Sequence, residues 1–138
     1  MNLSDLSNKS DEAERQYRTT EAVASHVIGI ILLGKINIIK TRTEKFKTLL
    51  EGQIILNRPK AENMQKIDRW ILDAQNRLLL SQNKNVTARD QFEKLASSYA
   101  GNVSETFNTG RQLVMESLEY LRETQTFLKQ ISEVMASG

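Results

Sequence analysis

The stretch HVIGIILLGKINIIK, residues 26–40, is the least polar part of an otherwise polar chain. In a helix, which turns about 100° per residue, its aliphatic side chains form two adjacent lines and also spread onto the remaining sides. The two lines consist of Val27, Ile31 and Ile38, and of Ile28, Leu32 and Ile39. A helix that is apolar nearly all round needs neighbours on several faces. We therefore predict that these six residues form a central packing helix or a self-association surface.

Two other structures would also account for this apolar stretch. Residues 22–39 form a segment close to the shortest helix that crosses a bilayer. Lys35 lies near one end of it, where its long side chain can reach the lipid headgroups, so the membrane alternative stays open. A buried strand is disfavoured, because helical spacing continues on both sides and no second segment of similar character offers a partner strand.

The composition favours helices throughout the chain. Its 138 residues are 39% hydrophobic and 26% charged, which suits one domain with its own core. Six glycines and one proline are too few for the many turns of an all-β protein. Because aromatic residues are scarce, the core must be aliphatic. The sequence thus predicts an all-α fold.

The first predicted helix begins near Glu12, where acidic residues suit a helix N-terminus. It ends before Pro59, which lacks an amide hydrogen and disfavours helix in the preceding residue. Unbroken, this helix covers about 45 residues, or roughly 67 Å. Gly29, Gly34 and Gly52 mark the points at which it could bend or divide.

Two further helices are predicted from apolar residues at three- and four-residue spacings. The second covers approximately residues 61–80, and the polar residues 81–85 are expected to form a connection. The sequence TARD at residues 87–90 resembles a capping box with aspartate in place of glutamate, so the third helix is expected over residues 88–135.

Three helices joined by short connections alternate in direction. The predicted fold is therefore an elongated up-down-up bundle in which the first and third helices run parallel. Gly101 and Gly110 weaken the third helix much as the earlier glycines weaken the first, and both helices are candidates for a break at these residues.

Charge predicts how the first and third helices face each other. A basic face on the first helix consists of Lys35, Lys40, Arg42, Lys45 and Lys47. At the matching height, an acidic face on the third helix consists of Glu116, Glu119 and Glu123. Exposed ion pairs contribute roughly 0 to 1 kcal/mol each, so this complementarity supports the bundle without determining it.

No residue pattern points to catalysis. His26 is the only histidine and the chain has no cysteine, so paired-histidine metal sites and Cys/His dyads are excluded. The glycines match no phosphate-binding or dinucleotide-binding loop. We therefore expect neither an enzyme nor a bound cofactor or metal, and no small-molecule substrate. A net charge of +2 makes nucleic acid an unlikely partner.

The N-terminal residues lack the basic start and apolar run of a cleavable signal peptide. Residues 1–11 are instead polar and are expected to form a flexible tail before a single helical domain, residues 12–138. This pattern suits a cytoplasmic protein or one exported by a non-classical route, with membrane association as an alternative.

The leading functional interpretation is a non-enzymatic helical assembly or adaptor protein. Its apolar helix faces would bind a protein partner in homo- or hetero-oligomeric contacts, with self-association foremost. One alternative is a membrane-active helical protein that inserts residues 22–39. Another is a component or substrate of a specialised protein-export apparatus, which rests on the polar tail, the helical body and the missing cysteine.

Overall fold

Three long helices make up the part of the chain that the structure describes, residues 2–96 and 101–137 of a computed structural model. They are α1 (Leu3–Leu56), α2 (Ala61–Lys94) and α3 (Val103–Ser137). All three pack against one another, with the most extensive contact between α2 and α3. The predicted all-α fold is confirmed.

The core is a row of clusters along the bundle. At one end the three helices meet in a cluster of Ala22, Leu95 and Val103. At the other end they meet in a cluster that includes Leu50, Ile67 and Ile131. Residue numbers rise together along α1 and α3 and fall along α2. The helices therefore run up, down and up, as predicted.

The two ends of α1 have local causes. It stops at Leu56, just before Pro59, as predicted. It begins at Leu3 rather than near Glu12, because Asn2 caps it: the Asn2 side-chain oxygen accepts a hydrogen bond from the Asp5 amide at 2.8 Å. The helix has 54 residues, or about 81 Å at the usual rise per residue.

The glycines at which the first helix could bend or divide do not break it. Gly29, Gly34 and Gly52 all lie within the continuous helix α1. In the third helix, Gly110 lies within α3, whereas Gly101 precedes its first turn. A single glycine costs a helix only about 1 kcal/mol relative to alanine, which packing along the helix can offset.

The predicted connection at residues 81–85 is wrong, because α2 continues through it to Lys94. Ser81 is fully buried, with its Oγ 2.7 Å from the Oγ of Ser117 on α3, and Asn85 is buried as well. The pairing of Ser81 with Ser117 lets these two hydroxyls occupy the core without losing hydrogen bonds.

The third helix accordingly starts at Val103, not at Ala88. Thr87 does not cap a helix; its Oγ1 donates to the Asn83 carbonyl at 3.0 Å within α2. The cap of α3 is Asn102, whose side-chain oxygen accepts a hydrogen bond from the Glu105 amide at 2.9 Å.

The ring of Phe92 fills the space between α1 and α3 and is fully buried. A Cβ atom at Gly29 would lie 2.4 Å from this ring, and one at Gly110 would lie 2.5 Å from it. Neither distance leaves room for a carbon atom. Phe107 packs beside Phe92 with its ring centroid 5.8 Å away. The two glycines therefore let both helices approach Phe92.

We predict that Gly29→Ala and Gly110→Ala each lower the free energy of unfolding by about 1–3 kcal/mol, because the added methyl group overpacks the core. Gly52→Ala is the matched control, since a Cβ there meets no atom within 4 Å. It should raise stability slightly, by up to about 1 kcal/mol, through better helix propensity. Urea unfolding checks all three. Equal stability of Gly29→Ala and Gly52→Ala would contradict the packing described for Phe92.

Candidate interaction surface

One side of α1 packs against α2 and α3, and the opposite side does not. Val27 lies two residues before Gly29, and Ile31 lies two residues after it. In a helix this spacing places both side chains about 160° away from Gly29 and its contact with Phe92. Val27 is 49% exposed, Ile31 52% and Ile38 53%, whereas Ile36 on the packed side is 5% exposed. We call the exposed side, centred on Val27, Ile31 and Ile38, the outer face of α1.

The six residues predicted as core or assembly interface fall into two groups. About half of the surface of Val27, Ile28, Ile31 and Ile38 is exposed. Leu32 and Ile39 are half-buried and pack against the cluster around Phe92. The helix is thus covered along one side rather than surrounded, and an apolar surface remains in contact with solvent.

Val23 and Ile30 extend this exposed apolar surface, although neither was among the predicted interface residues. Val23 is 53% exposed and Ile30 is 42% exposed. Val23 and Ile30 are seven residues apart and lie beside the line of Val27 and Ile31. This seven-residue spacing is the feature of the sequence that could have identified them as part of the same surface.

The predicted basic face divides between the bundle and solvent. Lys40 is half-buried, lies 3.6 Å from Glu44 and donates a hydrogen bond to Gln82 of α2. Lys47 pairs with Glu51 at 2.8 Å on the same helix. The other three residues, Lys35, Arg42 and Lys45, are exposed, and none forms an ion pair within the described ranges.

Within the described residues, no ion pair joins the predicted acidic face to the basic face of α1. Glu116 pairs with Lys84 at 2.9 Å and Glu123 pairs with Arg77 at 2.6 Å, so both are bound to α2. Glu119 is exposed and lies 3.5 Å from Arg122 on its own helix. The expected charge pairing of α1 with α3 is therefore wrong, because α2 is the closer neighbour along this side of α3.

His26 has a structural role in the bundle. Its Nδ1 lies 2.9 Å from the backbone carbonyl oxygen of Phe92 near the end of α2. The protonated nitrogen donates to a carbonyl in the last turn of α2, which also accepts a hydrogen bond from the Leu95 amide at 3.1 Å. The residue is half-buried and ties α1 to α2 beside the Phe92 ring.

Two polar contacts between helices were not predicted from the sequence. The pair Ser81 and Ser117 joins α2 to α3, and the Gln125 side chain donates to the Thr43 hydroxyl at 3.1 Å, joining α3 to α1. Thr43 is itself buried and donates to the Ile39 carbonyl. These contacts align the helices, and no catalytic grouping surrounds them among the described residues.

A surface groove lies at the end of the bundle where α1 turns into α2. The groove at the α1–α2 turn, about 690 Å³, is lined by Asn57, Pro59 and Met135 among others, without a carboxylate or histidine. Across residues 2–96 and 101–137, no three histidine or acidic side chains gather in a way that could hold a metal ion.

Length and composition alone would allow α1 to cross a membrane. Of its most apolar 18-residue window, 22% is buried in the bundle. The exposed majority of that window includes the outer face of α1. Any functional account of this protein has to explain what contacts this apolar surface.

Comparisons with protein-family models, with curated proteins and with solved structures find no match to this chain.

Lys84 offers a test of the link between α2 and α3. Its hydrogen bond to Glu116, together with the attraction of that carboxylate, raises the pKa of Lys84 above the ordinary value of 10.5. Folding thus favours the protonated amine. The stabilisation is fully present below the ordinary lysine pKa and is lost as the pH rises through the higher pKa of folded Lys84.

We predict that Glu116→Gln lowers the pKa of Lys84, because it removes the charged acceptor. The NMR titration of the Lys84 side chain checks this. Glu119→Gln is the matched control, since Glu119 is exposed and pairs with Arg122 instead. An unchanged Lys84 pKa in Glu116→Gln would show that the ion pair does not persist in solution.

Proposed function

We propose that this protein is a non-enzymatic helical assembly protein that works through protein–protein contacts made by the outer face of α1. The observation that supports this most directly is the half-exposed row of Val27, Ile31 and Ile38 on a helix whose other side is anchored in a core. A contiguous apolar surface of this kind is typical of an interaction site rather than of a free surface.

The mechanism is burial of aliphatic side chains on association. Removal of apolar surface from water is worth about 25 cal/mol per Å² before the costs of association are subtracted. The side chains are held in position by the bundle, because Gly29 and Leu33 fix the rotation of α1. The surface is therefore preformed, and little conformational entropy is lost in ordering it when a partner binds.

Membrane association is the second candidate, favoured by the length and apolar character of α1. The closed bundle argues against a helix that crosses the bilayer. At the height of residues 26–39, α2 and α3 carry exposed charges, among them Arg89, Asp90 and Arg111. Each charge at the bilayer centre costs about 2.5–3.5 kcal/mol on insertion scales, so crossing would require α1 to leave its partners.

A matched pair of substitutions tests the proposal. Ile31→Asp places a charge on the outer face, so we expect a folded monomer that no longer associates. Ile36→Asp places the same charge in the core beside Leu33, and we expect a loss of several kcal/mol of stability, because the buried carboxylate has no partner. Circular dichroism measures folding, and light scattering after size-exclusion chromatography measures mass.

The wild-type protein should have a mass greater than that of its 15.7 kDa chain. An Ile31→Asp variant that keeps the wild-type mass would contradict a contact at the outer face. A wild-type protein that stays monomeric in buffer and floats with lipid vesicles, in a manner that Ile31→Asp abolishes, would favour the membrane candidate.

A further inference from the structure

We propose that the partner of the outer face of α1 is a second copy of this chain, bound antiparallel along α1 with its two-fold axis near Ile28. This inference rests on the proposed function and specifies its partner and geometry. Four features of α1 support it: a seven-residue repeat of small and apolar side chains, a repeat of complementary charges, an N-terminal extension beyond the bundle, and the length of helix available for contact.

The outer face carries the spacing of a coiled-coil seam. Its exposed residues follow one another at alternating intervals of four and three: Thr20, Ala24, Val27, Ile31, Gly34 and Ile38. Apolar or small residues at this spacing keep one side of a helix turned toward a partner helix. The seam lies opposite Gly29, so a second helix can bind there while α2 and α3 stay in place.

A line of residues beside the seam carries complementary charges. At intervals of seven residues it contains Glu14, Glu21, Ile28, Lys35 and Arg42. An antiparallel copy centred on Ile28 brings Glu21 next to Lys35 of the second copy and Glu14 next to Arg42 of the second copy. Two-fold symmetry repeats both pairs, and the two Ile28 side chains meet at the axis. Flanking charges of this kind select the partner and orientation of paired helices.

These charges are available for such pairs. Within residues 2–96 and 101–137, Glu21, Lys35 and Arg42 form no ion pair, and Glu14 makes only an exposed contact with Arg18 at 2.9 Å. A parallel copy would instead place the acidic end of each α1 beside the acidic end of the other. Like charges at the same height repel, so charge disfavours the parallel arrangement.

Among the described residues, the N-terminal part of α1 has no neighbour from the other two helices. The bundle begins at Ala22, and residues 2–20 are exposed on every side. In proteins most helical stability comes from packing of an apolar face, and this segment has no such packing among the described residues. Antiparallel pairing about Ile28 lays residues 3–21 along residues 35–53 of the second copy and so covers this extension.

The contact area also requires most of α1. The apolar segment 22–39 is about 27 Å long and a helix is about 10 Å wide, which gives roughly 270 Å². Stable interfaces bury about 800 Å² per partner. A strip of the same width along all 54 residues of α1 gives roughly 800 Å². A partner that follows the whole helix, as the antiparallel copy does, reaches that size.

Disulfide cross-linking tests the orientation. Because the chain has no native cysteine, every disulfide formed joins introduced cysteines. Tyr17→Cys and Thr41→Cys are made in separate chains of different mass, and the two are mixed and mildly oxidised. The positions are about 36 Å apart along α1. Antiparallel pairing predicts disulfides between the Tyr17→Cys chain and the Thr41→Cys chain, with few cross-links between identical chains. Parallel pairing predicts the reverse, and this result would overturn the proposal.

Charge reversal tests the partner. The double variant Glu14→Lys with Glu21→Lys and the double variant Lys35→Glu with Arg42→Glu should each self-associate at least tenfold more weakly than wild type. An equimolar mixture should regain wild-type affinity, because every reversed charge again meets its opposite. The control is Lys66→Glu with Lys129→Glu, at exposed positions on α2 and α3 outside the proposed contact, which should associate as wild type does. Sedimentation velocity measures all of these.

The outcomes separate this inference from the proposed function. The antiparallel copy would be overturned if Ile31→Asp abolishes association but the mixture of the two charge-reversed variants does not regain wild-type affinity. That result would leave assembly through the outer face intact. Association that Ile31→Asp leaves unchanged would overturn both. A wild-type protein that remains monomeric at micromolar concentration, whether or not it binds vesicles, would overturn the second copy as partner.

Discussion

The contact of Phe92 with Gly29 and Gly110 determines the geometry of the bundle. The ring occupies the place that two Cβ atoms would fill, so α1 and α3 come close to α2 at one height and in one rotation. His26 adds a hydrogen bond to the Phe92 carbonyl at the same level. Once Gly29 faces the ring, the residues two positions away must face solvent. The exposed outer face of α1 is therefore a consequence of how the core packs.

This arrangement gives α1 two different sides. The packed side supplies Leu33 and Ile36 to a core that α2 and α3 complete. The outer face offers aliphatic side chains along a helix that extends well past the bundle. Hydrophobic burial would supply the attraction on this side, and the charges flanking the seam would supply the orientation, because ion pairs select geometry more effectively than they add affinity.

The sequence predicts features that depend on neighbouring residues in the chain and fails where distant residues decide. Pro59 removes an amide, so the end of α1 and the start of α2 follow from local chemistry. Residues 81–85 were predicted to be a connection because they are polar, and only the position of Ser117 on another helix explains their burial. Gly29 and Gly34 look alike in sequence, yet only Gly29 contacts Phe92. The apolar character of residues 26–40 was predictable from the sequence, but which of these residues stay exposed was not.

Hydrogen exchange along α1 tests the central claim that its outer face and N-terminal extension are covered by a partner in solution. Backbone amides in an unsupported helix exchange quickly, whereas packing slows them. The account predicts slow exchange for residues 3–21 in the wild-type protein and fast exchange in Ile31→Asp at the same concentration, with α2 and α3 unchanged. Equally fast exchange of residues 3–21 in both proteins would contradict it, because the extension of α1 would then have no partner.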